Sequence, residues 1–317
     1  MVSPSFGKDT VTNITRATPR RKPLKQRLTL TVLLVPFVLF FAAFFVLPIG
    51  YAIVDSLFTV RSSGLGFGAP EKIFVFFENY ARALATPSFV ESIGRVLLFA
   101  VIEVPLMVVF SLVLALLLES GKAHFPRVFR VVYFMPYGVP GVIASLLWGF
   151  LYVPSTSPVL QILSNFGLDF TPLGGDSVLF AIANIALWGF AGYNMVIIVA
   201  SLQSVPGELY EAARIDGAGE FAIIRHIKLP LLRPTIVLVT VFTIIGTLQL
   251  FVEPLVLKPL TTAINSDFTP NLAAYNQAFA QSNPNLAAAM AVIVALIAFV
   301  FSFGFLKLVN RKGNRAW

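Results

Sequence analysis

The sequence contains no cysteine and only two histidines, His124 and His226. The lack of cysteine excludes disulfides, thiolate catalysis, iron–sulfur clusters and cysteine-containing zinc sites, and two isolated histidines are a poor basis for a metal centre. Charged residues are also scarce: they form 12% of the 317 residues, whereas 57% are apolar. Such a small fraction of charged residues cannot cover a surface that faces water. The composition therefore predicts an integral membrane protein.

Six apolar runs are long enough to cross a hydrocarbon core, which takes about 20 helical residues. They lie at residues 28–58, 89–118, 131–153, 178–202, 230–257 and 286–309. The first run far exceeds the roughly 7 to 15 apolar residues of a signal-peptide core, so we expect a membrane span there and not a cleaved leader. The sequence therefore predicts an all-α integral membrane protein with six transmembrane helices.

The basic residues are distributed unequally between the two sides of this six-span arrangement. With the N-terminus placed in the cytoplasm, 18 Lys and Arg residues fall on the inner side and five on the outer side. The positive-inside rule therefore predicts that both termini are cytoplasmic. Because the inner basic residues are scattered over four segments and form no continuous patch, we expect no nucleic-acid partner.

Three regions are predicted along the chain. Residues 1–27 form a basic, Ser-, Thr- and Pro-rich cytoplasmic tail that is expected to be disordered, and residues 310–317 form a second basic cytoplasmic tail. Residues 28–309 are predicted to form one six-span transmembrane domain. The outer segment at 61–85 is expected to contain a small folded or interfacial piece.

The connection between the fourth and fifth spans, at about 207–229, differs from an ordinary polar linker. Pro206 and Gly207 break the fourth span, and Glu208 and Glu211 place negative charge in the first turns of a new helix, where the macrodipole favours it. Gly217 suits a left-handed stop. A second short helix is expected from Ala218 to about residue 227, before the next span begins at residue 230. The segment is predicted to be helix, glycine elbow, helix; an amphipathic helix lying on lipid headgroups is the alternative.

This loop resembles the EAA motif of ABC importer permeases. The matching residues are Glu211, Ala212, Ala213, Asp216, Gly217, Ala218, Ile227, Leu229 and Pro230. Ile224 departs from the motif, which often has Phe there. The chain is most similar to the carbohydrate, maltose-type subfamily, since residues 129–152 resemble its third span and residues 271–290 resemble its lead into the last span.

The resemblance implies a coupling loop that docks in a cleft of a cytoplasmic ATPase. It implies that Glu211 pairs with a basic residue of the ATPase and that Gly217 forms the elbow. The coupling residues are Glu211, Ala212, Ala213, Arg214, Asp216, Gly217 and Ala218. The implied partners are a second related permease, two ATPase subunits, an extracytoplasmic solute-binding protein, a sugar and membrane lipid. ATP and Mg are expected in the ATPase, with no cofactor or metal in this chain.

An enzymatic function is not indicated by any motif. The chain has no phosphate-binding loop of the type G-x-x-x-x-G-K-[ST], no G-x-S-x-G and no H-E-x-x-H. An ion-coupled secondary transporter is the alternative class, because Glu103 and Glu253 are ionisable residues at or near membrane depth. Glu103, two residues before Pro105, could equally satisfy a local break in the helix backbone.

A sugar path needs hydrogen-bonding groups and aromatic faces. The fourth span offers Asn184 and Trp188 at i and i+4, with Tyr193 and Asn194 further along. The fifth span offers Gln249 and Glu253, which would share one face of a continuous helix. These six residues form the candidate substrate path; the alternative is that each serves only an interfacial belt or helix–helix packing.

Overall fold

The computed structural model describes residues 24–61, 70–121, 123–175 and 177–313. The chain divides into two compact units, Met1–Tyr51 and Ala52–Trp317. The first unit is helical in its described part, with phenylalanine rings stacked at i and i+4 along the helix, such as Phe37 on Phe41. The second unit holds every residue of the two sites described below.

The described residues form fourteen α-helices and one two-stranded sheet. The helices are α1 (Leu24–Phe41), α2 (Leu47–Asp55), α3 (Glu78–Ala85), α4 (Pro87–Leu118), α5 (Pro126–Phe134), α6 (Gly141–Tyr152), α7 (Pro158–Asn165), α8 (Val178–Gln203), α9 (Gly207–Ile215), α10 (Glu220–Ile223), α11 (Leu229–Leu248), α12 (Val252–Leu257), α13 (Pro270–Phe279) and α14 (Pro284–Gly313). The strands are β1 (Phe58–Arg61) and β2 (Glu71–Phe74). Ala42–Val46 and Ile224–Lys228 are π-helical turns, and Met135–Gly138 and Lys258–Leu260 are 3-10 turns.

Five helical runs are long and apolar enough to cross a membrane. They are Thr31–Asp55, Pro87–Leu118, Val178–Gln203, Glu220–Leu260 and Pro284–Val309. A sixth span results if the bent pair Pro126–Gly138 and Gly141–Tyr152 is counted as one. The mainly helical, multi-span architecture expected from the apolar runs is therefore present.

The third run is not the simple helix that residues 131–153 predicted. Its two halves meet at an angle of 96°. The bend lies at Met135–Gly138, a 3-10 turn, and at Pro140, which precedes α6. Pro136 and Pro140 lack backbone N–H donors, so neither can continue a regular α-helical ladder through this segment.

The ends of the first run also differ from the prediction. Helix α1 begins at Leu24, inside the predicted tail, and α2 ends at Asp55. Phe58 lies in β1, which pairs antiparallel with β2, so the segment predicted to be outer contains a pair of strands followed by α3. The pair of strands is fixed by Asn79, whose amide donates to the backbone oxygen of Phe58 at 2.7 Å. The remaining tail at 1–23, the segment 62–69 and the end at 314–317 lie outside the described residues.

The fifth run differs from the prediction at both of its ends. The helix begins at Glu220 and passes through the π turn into α11, so Pro230 lies inside a continuous helix and does not start a new one. The Leu229 N–H reaches back to the oxygen of Ile224, five residues earlier, and this wider turn accommodates the proline that follows. The α-helix then ends at Leu248, and α12 starts only at Val252.

The buried apolar residues join the spans in three main clusters. One unites α4, α6, α8 and α12, a second unites α4, α8 and α11, and a third unites α3, α4, α13 and α14. Large hydrophobic side chains elsewhere on the spans face outward, for example Val101, which is 70% exposed. Such an outward apolar surface is what lipid contact requires.

Helices α5 and α8 approach each other closely at Gly192. A Cβ atom at this position would lie 1.7 Å from the backbone oxygen of Tyr133 and 2.4 Å from its carbonyl carbon. Only glycine leaves room for this contact, which holds the first half of the bent span against α8.

Candidate functional site

The first candidate site is the loop between α8 and α11. Helix α9 starts after Pro206, carries Glu208 in its first turn and ends at Ile215. Gly217 has φ +83°, a left-handed conformation that residues with a Cβ rarely adopt. The Gly217 N–H donates to the backbone oxygen of Arg214 at 3.0 Å, and the Ala218 N–H donates to the backbone oxygen of Ala213 at 2.9 Å. This pair of hydrogen bonds is a Schellman motif. The predicted first helix and left-handed glycine are therefore present.

The surface of α9 is open. Glu211, Ala212, Arg214, Asp216 and Gly217 are exposed, and Ala213 and Ala218 are half-buried. Within the described part of the chain, no hydrogen bond or ion pair engages the Glu211 carboxylate.

Arg214, one of the predicted coupling residues, has an ion-pair partner within this chain. Its guanidinium donates to the Glu220 carboxylate at 3.0 Å, and this ion pair spans the elbow. The two side chains are about half-exposed, so the pair adds little stability by itself but links the end of α9 to the start of α10.

Two large apolar side chains near the elbow are exposed, and the sequence did not single them out. Ile215 is 87% exposed and Phe221 is 74% exposed. Together with the acidic Glu211 and Asp216, they make the loop an exposed surface of mixed apolar and acidic character. The signal in the sequence that could have identified them is that they lie on either side of Gly217, where the chain turns.

A polar cluster under the loop joins three helix ends, and the sequence did not predict it. The Glu119 carboxylate, after α4, accepts hydrogen bonds from Arg130 of α5 at 2.9 Å and Gln203 of α8 at 3.0 Å. The pKa of the Tyr210 hydroxyl is raised, mainly by burial and also by the negative charge of Glu119. Lys228 is buried, and its ammonium lies 5.5 Å from the centre of the Tyr210 ring. Glu119 thereby links α4, α5 and α8, and the contact between Lys228 and Tyr210 links α9 to the turn that precedes α11.

The second candidate site is a cavity of about 390 Å³ between α4, α8, α11 and α12. Four predicted path residues line it: Tyr193, Asn194, Gln249 and Glu253. A neighbouring cavity of about 360 Å³ shares Tyr137, Phe190 and Glu253 with the first. Aromatic rings and polar groups therefore meet in one place, as a sugar-binding path requires.

Asn184 and Trp188 are not among the residues that line either cavity. The Asn184 amide donates to the Tyr152 hydroxyl at 2.7 Å, and the Trp188 ring contacts the Trp148 ring edge-to-face at 5.9 Å. Both side chains contact α6, and their role in a substrate path stays a prediction.

Gln249 and Glu253 reach the cavity by a different geometry from the predicted one. The helix ends between them, and Phe251 has φ −147° and ψ −50°, outside helical values. They therefore do not share a face of one continuous helix. The break itself turns both residues towards the cavity.

Several cavity residues were not predicted for the path. Tyr137 stacks on Tyr193 at 4.6 Å, Thr243 accepts a hydrogen bond from the Asn194 amide at 3.4 Å, and Glu103 lines the cavity from α4. For Tyr137, the signal in the sequence was its position between Pro136 and Pro140, where the span bends.

Helical spans around a polar, aromatic cavity, with an exposed helix–elbow–helix loop, define a membrane transport component. The family described as "Binding-protein-dependent transport system inner membrane component" matches residues 19–314. The chain belongs to this family. It is therefore a multi-pass inner-membrane component of a binding-protein-dependent transport system.

Relatives of known description match nearly the whole chain. The diacetylchitobiose uptake system permease protein NgcF of Streptomyces coelicolor is 32% identical, over 92% of this chain and 86% of its own length. The arabinooligosaccharides transport system permease protein AraP of Halalkalibacterium halodurans is 30% identical, over 92% of this chain and 91% of its own length. The lactose transport system permease protein LacF of Rhizobium radiobacter is 30% identical, over 90% of this chain and 96% of its own length.

The fold is shared with a solved transporter. A chain in the crystal structure of a bacterial ABC transporter involved in the import of alginate superposes with a TM-score of 0.76 at 21% identity, covering 90% of this chain and 96% of that one. The arrangement of five or six candidate spans is therefore an ABC permease fold.

Proposed function

We propose that this chain is one of two permease subunits of an ATP-driven carbohydrate importer. It translocates a sugar or oligosaccharide that an extracytoplasmic binding protein delivers. The family and the three carbohydrate permeases it resembles support this function and not an ion-coupled carrier. The observation that carries the proposal is the exposed α9 followed by the left-handed Gly217.

The exposed loop is the coupling element of the proposed importer. Glu211, without a partner in the described part of this chain, pairs with a basic residue of a cytoplasmic ATPase, while Ile215 and Phe221 supply apolar contact. A lipid-bound helix is less well supported, because interfacial helices carry Lys and Arg on their polar face, whereas α9 has Glu208 and Glu211 against Arg214. ATP and Mg belong to the ATPase, and this chain is a transport subunit without its own hydrolytic site.

The cavity is the sugar path of the proposed importer. Sugar hydroxyls find hydrogen-bonding partners in Asn194, Gln249 and Glu253, and the CH face of a ring can stack on Tyr137 or Tyr193. ATP binding closes the ATPase dimer and moves α9, which switches the cavity from inward to outward access. A second related permease completes the path.

The test of this function is uptake by the complete complex in proteoliposomes. With a second permease, the ATPase and the binding protein, ATP-dependent sugar uptake is expected, and Glu211→Lys should reduce it by about tenfold or more because a like-charge contact at an interface costs several kcal/mol. Glu91→Lys is the matched control, since it makes the same change at an exposed position of α4.

Two results would contradict the proposed function. One is sugar uptake by this chain alone, driven by a pH gradient and without ATP. The other is full ATP-driven uptake and full ATPase binding by Glu211→Lys, which would remove the support for α9 as the coupling element.

The proposed orientation places both termini and the coupling loop in the cytoplasm, because 18 of 23 basic residues then lie inside. Reporter fusions at Gly174 and Ser266 should be active outside, and fusions at Gly121 and Gly217 inside. Alkaline phosphatase and green fluorescent protein activities measure the two sides. A reversed result at any of these positions would refute the six-span orientation.

A further inference from the structure

The main cavity contains two carboxyl groups and no basic side chain. Glu103 and Glu253 line it, and Glu253 also lines the neighbouring cavity. Among the described residues that line the two cavities, none is Lys, Arg or His. A negative charge on a ligand would therefore find no counter-charge in this part of the chain.

Glu103 is the less usual of the two acids. It is 1% exposed, and neither carboxyl oxygen has a hydrogen-bond partner among the described residues. Pro105 lies two residues later, but Glu103 makes no bond that repairs the helix there. The local structural role considered for this residue is therefore not observed.

A buried carboxyl without a partner is costly, whether it is ionised or protonated, because its polar atoms have lost water and gained nothing. Two kinds of ligand remove that cost. A hydroxyl or amide group completes the hydrogen bonds of the carboxyl, and an ammonium group forms an ion pair with the carboxylate. A ligand carboxylate or phosphate cannot pair with an ionised carboxylate. A protonated carboxyl donates one hydrogen bond to such an anion but supplies no counter-charge, so the anion stays unneutralised in a cavity within the membrane.

We propose that the cavity selects sugars without negative charge, namely neutral and amino sugars, and excludes uronic acids and sugar phosphates, with Glu103 as the specificity-determining residue. This inference rests on the proposed function of the cavity as a sugar path. Tyr137 and Tyr193 hold the ring face, whereas Glu103 tests the charge and hydrogen-bonding groups at its edge.

The test uses the complex of this chain with its permease and ATPase partners in nanodiscs, without the binding protein, whose own selectivity would otherwise decide the result. Saturation-transfer NMR at millimolar concentration compares three disaccharides: neutral diacetylchitobiose, its deacetylated diamine and digalacturonate. For wild type, contact is expected for the first two, with digalacturonate weaker by about tenfold or more.

Glu103→Gln keeps the size and hydrogen-bonding capacity of the side chain but removes its charge. This substitution should weaken binding of the diamine. It should also reduce the difference in binding between the neutral and the acidic disaccharide. Glu91→Gln, the same change at an exposed position of the same helix, should alter neither. Because Glu103→Gln is nearly isosteric, the complex should assemble, and Glu253→Gln provides a second test with the same expected direction.

Three results would overturn the inference. Wild type could bind digalacturonate as well as the neutral disaccharide, or Glu103→Gln and Glu253→Gln could leave the preference unchanged. The third is saturation transfer from none of the disaccharides while the complete complex still takes up sugar with ATP. Each of these results would refute the proposed selection against negatively charged sugars. The proposed function is tested separately, by ATP-dependent sugar uptake in proteoliposomes.

Discussion

Substitution of Gly217 by valine is expected to reduce ATP-driven uptake by about tenfold or more while leaving the chain in the membrane. The φ of +83° at this position costs an ordinary L residue about 1 to 2 kcal/mol, and a β-branched residue more. The Schellman bonds from Gly217 and Ala218 would be lost, and α9 would no longer be aimed by its connection to α10. Uptake and transport-coupled ATP hydrolysis in proteoliposomes are the measurements.

Gly219→Val is the matched control for this prediction. Gly219 lies two residues later in the same loop, has φ −72° and has nothing within 4 Å of an added Cβ. Its substitution should be tolerated, with normal uptake and normal membrane levels. If both valines behave alike, or if Gly217→Val transports normally, the elbow geometry has no role in coupling.

Gly192→Ala is expected to destabilise the permease strongly. The added Cβ would lie 1.7 Å from the Tyr133 backbone oxygen, and a backbone carbonyl cannot rotate away as a flexible side chain can. Overpacking typically costs about 1 to 3 kcal/mol and occasionally more, and a backbone clash belongs to the upper part of that range. A lower unfolding midpoint and a smaller folded fraction in detergent should result, as measured by size-exclusion chromatography after heating.

The control for Gly192 lies one helical turn earlier. An added Cβ at Gly189 meets nothing within 4 Å, and alanine favours the helix by about 0.5 to 1 kcal/mol relative to glycine. Gly189→Ala should therefore be neutral or slightly stabilising. An unfolding midpoint for Gly192→Ala equal to that of Gly189→Ala would show that α5 and α8 do not approach as closely as described.

Local signals predicted the apolar spans, and they predicted the first helix and the left-handed glycine of the loop at 207–229. Apolar runs identify membrane helices because a bilayer demands a long apolar segment, and this demand does not depend on the rest of the fold. The left-handed state of Gly217 follows from its own lack of a Cβ, so the elbow was also predictable. The 96° bend was not, because prolines mark a break in a helix without specifying its angle.

The lining of the cavity was only partly predictable, because it depends on contacts between distant segments. Spacing placed Asn184 and Trp188 on one face of α8, whereas their contacts with Tyr152 and Trp148 of α6 are visible only in three dimensions. Tyr137 enters the cavity only because the third span bends. Glu103 was noticed as an acid at membrane depth, but its lack of a partner is visible only in three dimensions.

The continuous helical run from Glu220 to Leu248 would act as a lever in the proposed importer. It contains 29 residues and begins just beyond the elbow, and its far end adjoins Gln249 at the cavity. At about 1.5 Å per residue it is about 43 Å long, so a tilt of about 10° at one end would displace the other by about 7 Å. In the proposed importer, a small rotation imposed at the loop would thus be amplified into a movement comparable to the width of a sugar ring, without any helix having to unfold.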